Sequence, residues 1–168
     1  ISNNPLTKDE ISNFIINSKK IGIYSYMFLL GSNYKSIIKL FPVLEQHRDC
    51  AFILYINPEI INIEVIKKVN TLSNIAISIL KDENDNDNEL VFNKANLLRK
   101  NKCLYGIHTY YDDKISSKIL DGKFTKELLE TNCTFALLIK KEDCSQNTAT
   151  LIYKYIQNSK TKNNLPVF

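Results

Sequence analysis

The sequence predicts an α/β domain of parallel βα repeats, curled into a partial, TIM-like barrel. Two observations carry this. Six short apolar runs of strand length recur at intervals of roughly 30 residues: Ile21–Leu30, Cys50–Pro58, Ile75–Leu80, Cys103–Tyr110, Thr134–Ile139 and the terminal Leu165–Phe168. Most of the gaps between them hold an amphipathic helical pattern. A buried strand alternating with a helix at this period is the signature of βαβ units.

Each element has its local reason. Thr7-Lys8-Asp9-Glu10 reads as a capping box, in which the Thr7 hydroxyl accepts from the amide three residues on and Glu10 reaches back. Ile11, Phe14, Ile15 and Ser18 then share one helical face, and Lys19-Lys20 close the helix at the negative end of its dipole. After the first strand, Gly31-Ser32-Asn33 turn the chain into a helix over residues 35–46 with Ile37, Ile38, Phe41 and Leu44 inward; Pro42 marks a kink or restart. Pro58 stands at a helical start, where its missing amide costs nothing, and Ile61, Val65, Val69 and Leu72 form the stripe that follows. Val91, Ala95 and Leu98 carry a fourth helix, residues 125–131 a short one, and Ala149, Ile152 and Ile156 the last. The polar run from Lys81 to Asn88 fails as a calcium loop, because Asp87 stands where glycine is needed and Asn93 where the bidentate glutamate is needed. It reads as a solvated loop.

At 168 residues the chain suits one domain with its own core. The net charge of +4 comes without a basic block or a basic stripe interleaved with aromatics, so nucleic-acid binding is not expected. No apolar run reaches transmembrane length. Cys50, Cys103, Cys133 and Cys144 are separated by 53, 30 and 11 residues, which fits no zinc or iron–sulfur spacing. Cys50 and Cys103 read as small core residues, and a reducing, cytoplasmic setting is expected.

In parallel α/β folds ligands bind beyond the carboxyl ends of the strands. The residues to watch are therefore Gly31, Ser32 and Asn33; Asn57 and Pro58; Ser78 and the Leu80-Lys81 edge; His108, Thr109 and Tyr110; and Lys140-Lys141. Plain readings stand beside each. Gly31 and Asn57 are turn formers, Ser78 caps a backbone group, His108 is a satisfied core or rim histidine, and His47 at a helix end is a solvated cation. No glycine-rich phosphate loop, nucleophile elbow or paired-carboxylate constellation is present.

The order of these elements resembles the radical S-adenosylmethionine (SAM) superfamily. Leu6-Thr7-Lys8-Asp9-Glu10-Ile11 is similar to the helix opening that follows that family's cluster loop, and Leu30-Gly31-Ser32-Asn33 occupies the place of its Gly-Gly-Glu-Pro strand end. AFILYINPEII resembles the strand ending in Thr-Asn-Gly, here Ile56-Asn57-Pro58; LSNIAISI resembles the next strand, with Ser78 at its serine. ELVFNKANLLRKNKCLYGIHTYY and TNCTFALLI resemble the helix and strands after it. The resemblance implies SAM and a [4Fe–4S] cluster as cofactors. Gly31, Ser32, Asn57 and Ser78 would line SAM, and His108 and Tyr110 the substrate side. It implies that residues 1–168 lack the family's first strand and its CxxxCxxC loop, which would lie just before Ile1. The sequence departs from the family where Ser32 replaces the glutamate and where Asn57 alone remains of Thr-Asn-Gly.

Two functions follow from the resemblance. One is the core of an iron–sulfur, SAM-dependent enzyme acting on a peptide or small substrate. The other is a degenerate, non-catalytic domain that holds a peptide or protein partner. An unrelated doubly wound sheet is a third reading, and its strands would be reordered about a central switch point.

Overall fold

A computed structural model describes residues 6–32, 34–82 and 88–163. Five parallel strands, β1 (Ser25–Gly31), β2 (Ala51–Ile56), β3 (Ile75–Leu80), β4 (Tyr105–Tyr111) and β5 (Phe135–Lys140), pair in the order β1-β2-β3-β4-β5. Helices α1 (Lys8–Lys19), α2 (Tyr34–Gln46), α3 (Ile63–Asn70), α4 (Asn88–Lys100), α5 (Ser116–Leu120), α6 (Lys123–Thr131) and α7 (Gln146–Asn163) alternate with them. Strands that follow one another in space as in sequence make a curled half-barrel, not a doubly wound sheet. The expected run at Leu165–Phe168 and most of the acidic loop fall outside the described residues.

Strand alternation separates two faces. Tyr26, Phe52, Leu54, Ile77, Ile79 and Ile107 join the helices' apolar stripes in one core. That stripe in α2 is Ile37, Leu40, Phe41, Val43 and Leu44, and the helix runs unbroken past Pro42. The ring removes the one helical bond to the Ile38 carbonyl, and burial of that stripe outweighs the loss. The capping box forms as the sequence reads: the Glu10 amide donates to Thr7 Oγ1 at 3.3 Å and the Thr7 amide to Glu10 Oε2 at 2.7 Å. On α1, Ile15 and Ser18 are buried whereas Phe14 is 61 % exposed, leaning edge-on against Tyr26. All four cysteines are free and buried.

Two expectations need correction. The run Ile21–Leu30 does not begin as strand. Gly22, at φ +84°, ends α1, with Gly22 N–H bonded to Lys19 and Ile23 N–H to Ser18. This is the paired-bond stop that glycine favours, so β1 starts only at Ser25. His47 is not a solvated cation. It is 6 % exposed, and the Lys19 ammonium lies 3.2 Å from Nδ1 while Ser12 Oγ lies 3.2 Å from Nε2. Burial first, and the Lys19 charge second, push its pKa down, so it is neutral at pH 7. A short helix, α5, also escaped the sequence reading; its anchors Ile115 and Ile119 are buried.

α4 ends in the same paired-bond stop, but with Lys102 at φ 58° in the left-handed position. A side chain there costs about 1 kcal/mol, and Lys102 is exposed. Lys102→Gly is therefore expected to stabilise the fold by about 1 kcal/mol and raise Tm by about 3 °C. Thermal unfolding monitored by circular dichroism checks this; an unchanged or lower Tm refutes it.

Candidate functional site

The face of the half-barrel turned away from the core is built from the other alternate residues. Register places Leu29 beside Tyr55, Tyr55 beside Ser78, Leu80 beside His108, and His108 beside Leu137. The described helices pack on the opposite, core face. Met27 and Leu29 remain 63 % and 72 % exposed on this concave face.

The sequence-predicted residues fall into two groups. At the carboxyl ends of β1 and β2, a bulge between Leu29 and Gly31 shifts the register, and Gly31 sits opposite Ile56. The shift brings Ser32 to Asn57, whose Nδ2 donates to Ser32 Oγ at 2.6 Å. Bulges recur next to functional sites because they re-aim a side chain in this way. On the same rim Tyr34, at the start of α2, donates to the Glu64 carboxylate in the first turn of α3.

The second group lies deeper. Ser78 Oγ is 3.0 Å from His108 Nδ1, and both residues are buried. Ser78 thus binds a side chain rather than capping backbone. The His108 ring meets Tyr55 edge-on at 4.6 Å between centroids and Tyr110 edge-on at 6.0 Å. Burial pushes the His108 pKa down to about 4, against a smaller opposing effect of the Ser78 backbone. The imidazole is neutral at pH 7, so its two nitrogens comprise one donor and one acceptor. Tyr55 also donates to Met27 Sδ at 3.2 Å, and burial holds its phenol above the ordinary pKa. Sequence reasoning missed Tyr55. Its only signal is the two-residue alternation within AFILYI, which is masked because β2 is apolar on both faces.

Other strand ends serve structure. Lys81 is buried, its ammonium 3.0 Å from Glu127 and bonded also to Asn88, while Thr109 Oγ1 donates to the Lys81 carbonyl at 2.7 Å. Lys141 pairs with Asp112 at 2.9 Å. A cavity of about 370 Å³ beside Lys81, lined by Asn88, Phe92, Glu127 and Glu130, lies off the concave face.

The two cofactors of the resemblance fare differently. Among the described residues no three His, Cys, Asp or Glu side chains gather to hold a metal. Cys50, Cys103 and Cys133 precede β2, β4 and β5, at the amino ends of the strands and across the sheet from Ser32 and Asn57. The described residues do not supply a cluster's ligands. For SAM, the groups at hand are those of the rim. Ser32 and Asn57 offer uncharged polar groups beside the exposed apolar Met27 and Leu29.

No protein-family model matches the chain, and no curated protein does. By structure it is similar to SuiB of Streptococcus suis bound to S-adenosylmethionine, with a TM-score of 0.75 and 12 % identity over 100 % of this chain and 44 % of SuiB. SuiB bound to its precursor peptide SuiA matches at TM-score 0.72 and 11 % identity, over 100 % of this chain and 43 % of that one. SuiB in a third crystal structure matches at 0.66 and 10 %, over 99 % and 44 %. At these identities the likeness is one of fold, and the chain spans less than half of SuiB's length.

Proposed function

We propose that this chain is a radical-SAM-like half-barrel that binds SAM along the carboxyl ends of β1 to β3 and a peptide on the concave face. The observation that carries the proposal is the likeness of fold to SuiB, which has been crystallised with SAM and with a precursor peptide, at a TM-score of 0.75 over this whole chain. Gly31, Ser32, Asn57 and Ser78 are the residues assigned to SAM, and His108 and Tyr110 those assigned to the peptide side. In this reading the residues bind and orient. The Ser32–Asn57 pair fixes the rim, and the buried Ser78–His108 pair fixes the ring that the second ligand meets.

The alternative is a domain that has lost SAM and keeps only the partner. Ser32 favours it, because the position that holds glutamate in the resembled family has no carboxylate to meet the SAM ammonium. Calorimetric titration of the longest native form with SAM, after anaerobic reconstitution with iron and sulfide and absorbance near 400 nm, separates the two readings. SAM binding supports the proposal, and absorbance from a cluster extends it to the core of an enzyme. No SAM binding overturns it and leaves the partner-binding domain.

Ser32→Glu provides a sharper test. A charge-assisted bond is worth about 1.5–3 kcal/mol, so the variant is expected to bind SAM at least tenfold more tightly than wild type. An unchanged or weaker affinity would remove Ser32 from the site.

A further inference from the structure

The concave face is free of charge. The chain carries 22 basic and 18 acidic side chains. At every position of β1 to β5 that faces away from the helices, the residue is nevertheless uncharged; Met27, Leu29, Ile53, Tyr55, Tyr110 and Leu137 are among them. The one titratable ring among these positions that changes charge near neutrality, His108, is neutral at pH 7. It is also buried, at 3 % exposure. Its Nδ1 lies 3.0 Å from Ser78 Oγ. The face thus presents an apolar floor, open at Met27 and Leu29, with the His108 ring enclosed between two tyrosines.

We infer that this face selects an uncharged apolar side chain, aromatic or branched aliphatic, from a peptide segment. The inference rests on the peptide reading proposed above and adds the class of residue received. The physical ground is charge complementarity. A carboxylate or ammonium laid against these strands would give up water with no counter-charge on the face to replace it, whereas an apolar side chain would cover Met27 and Leu29.

Met27 is the single methionine of this sequence, which makes its methyl group a reporter. In the longest native form, labelled at the methionine methyl carbon, the Met27 resonance is assigned with Met27→Leu. The protein is then titrated with the capped tripeptides acetyl-Gly-X-Gly-amide, where X is Phe, Leu, Glu or Lys. The Phe and Leu peptides are expected to shift the Met27 signal at concentrations at least tenfold below those needed for Glu or Lys. Leu29→Lys, a change at a side chain that is 72 % exposed, is expected to weaken the Phe peptide about tenfold and to turn preference toward the Glu peptide. Equal responses to all four peptides overturn the inference. So does a preference for a charged one, or a Met27 signal that no peptide moves because further chain or a second copy covers the face. Titrating SAM into the same sample keeps the two readings apart. A Phe-peptide response without SAM binding removes the cofactor and leaves the inference standing; SAM binding without a Phe-peptide response removes the inference alone.

Discussion

Gly106→Ala is expected to destabilise the fold by about 3 kcal/mol and to lower Tm by roughly 10 °C. A Cβ at this position would meet the Phe135 ring at 2.3 Å and the Phe135 carbonyl oxygen at 2.5 Å. Both distances are far inside contact, and the second is to backbone that cannot rotate away. Gly106 and Phe135 are register partners in β4 and β5, so relief requires the two strands to part. The ring lies over Gly106 as a lid on the concave face, which explains a glycine near the start of a buried strand. Truncating the ring tests the assignment. Gly106→Ala combined with Phe135→Ala should recover only the part of the loss that comes from the ring, because the carbonyl contact remains. Urea denaturation of the two single variants and the double variant measures this. A Gly106→Ala variant as stable as wild type would mean that β5 is not held against β4 as described.

Acidification is expected to remove about 3 kcal/mol of stability between pH 6.5 and pH 4, chiefly through His108. Its folded pKa of about 4 lies below the ordinary 6.5 of the unfolded chain. Between those values the unfolded state binds a proton that the folded state refuses. Stability therefore rises with pH across this window and is complete above 6.5. The gap of about 2.5 pH units, at about 1.4 kcal/mol for each, sets the size of the effect. His47 acts in the same direction, since its pKa is also lowered. Asp49, Asp112 and Asp113 are each held below their ordinary value by hydrogen bonds, from Lys19, from Lys141, and from Thr148 and Ser145 respectively. Their contributions are lost at the acid end of the range. His108→Gln, which keeps an amide for Ser78, should flatten most of the slope between pH 6.5 and 5. A wild-type stability that does not change over that interval would mean that the His108 ring is not sealed between Tyr55 and Tyr110.

Much of the architecture was legible in the residues. The run Ile75–Leu80 coincides with β3, and the stripes Val65–Val69 and Val91–Ala95–Leu98 are buried as their spacing requires. Period and burial are local properties of the chain, so the alternation of strand and helix could be read directly. Boundaries were less accessible. Ile21 and Ile23 look like strand, but they are 77 % and 44 % exposed because Gly22 ends the helix between them. The plain reading of His47 failed because its surroundings, Ser12 and Lys19, come from a helix some 30 residues away in sequence.

The candidate site divides along the same line. That Gly31, Ser32, Asn57, Ser78, His108 and Tyr110 stand at or near strand ends was readable from the runs alone. Strand order, the bulge at Gly31, the Ser32–Asn57 bond and the enclosure of His108 by Ser78, Tyr55 and Tyr110 were not. Composition and periodicity determined an α/β chain of parallel repeats, because hydrophobic spacing is carried by each segment on its own. Which alternate residues turn toward the helices and which toward the open face, and hence the uncharged floor and its single neutral imidazole, was decided only when five strands paired in register. That choice depends on contacts between segments far apart in the chain.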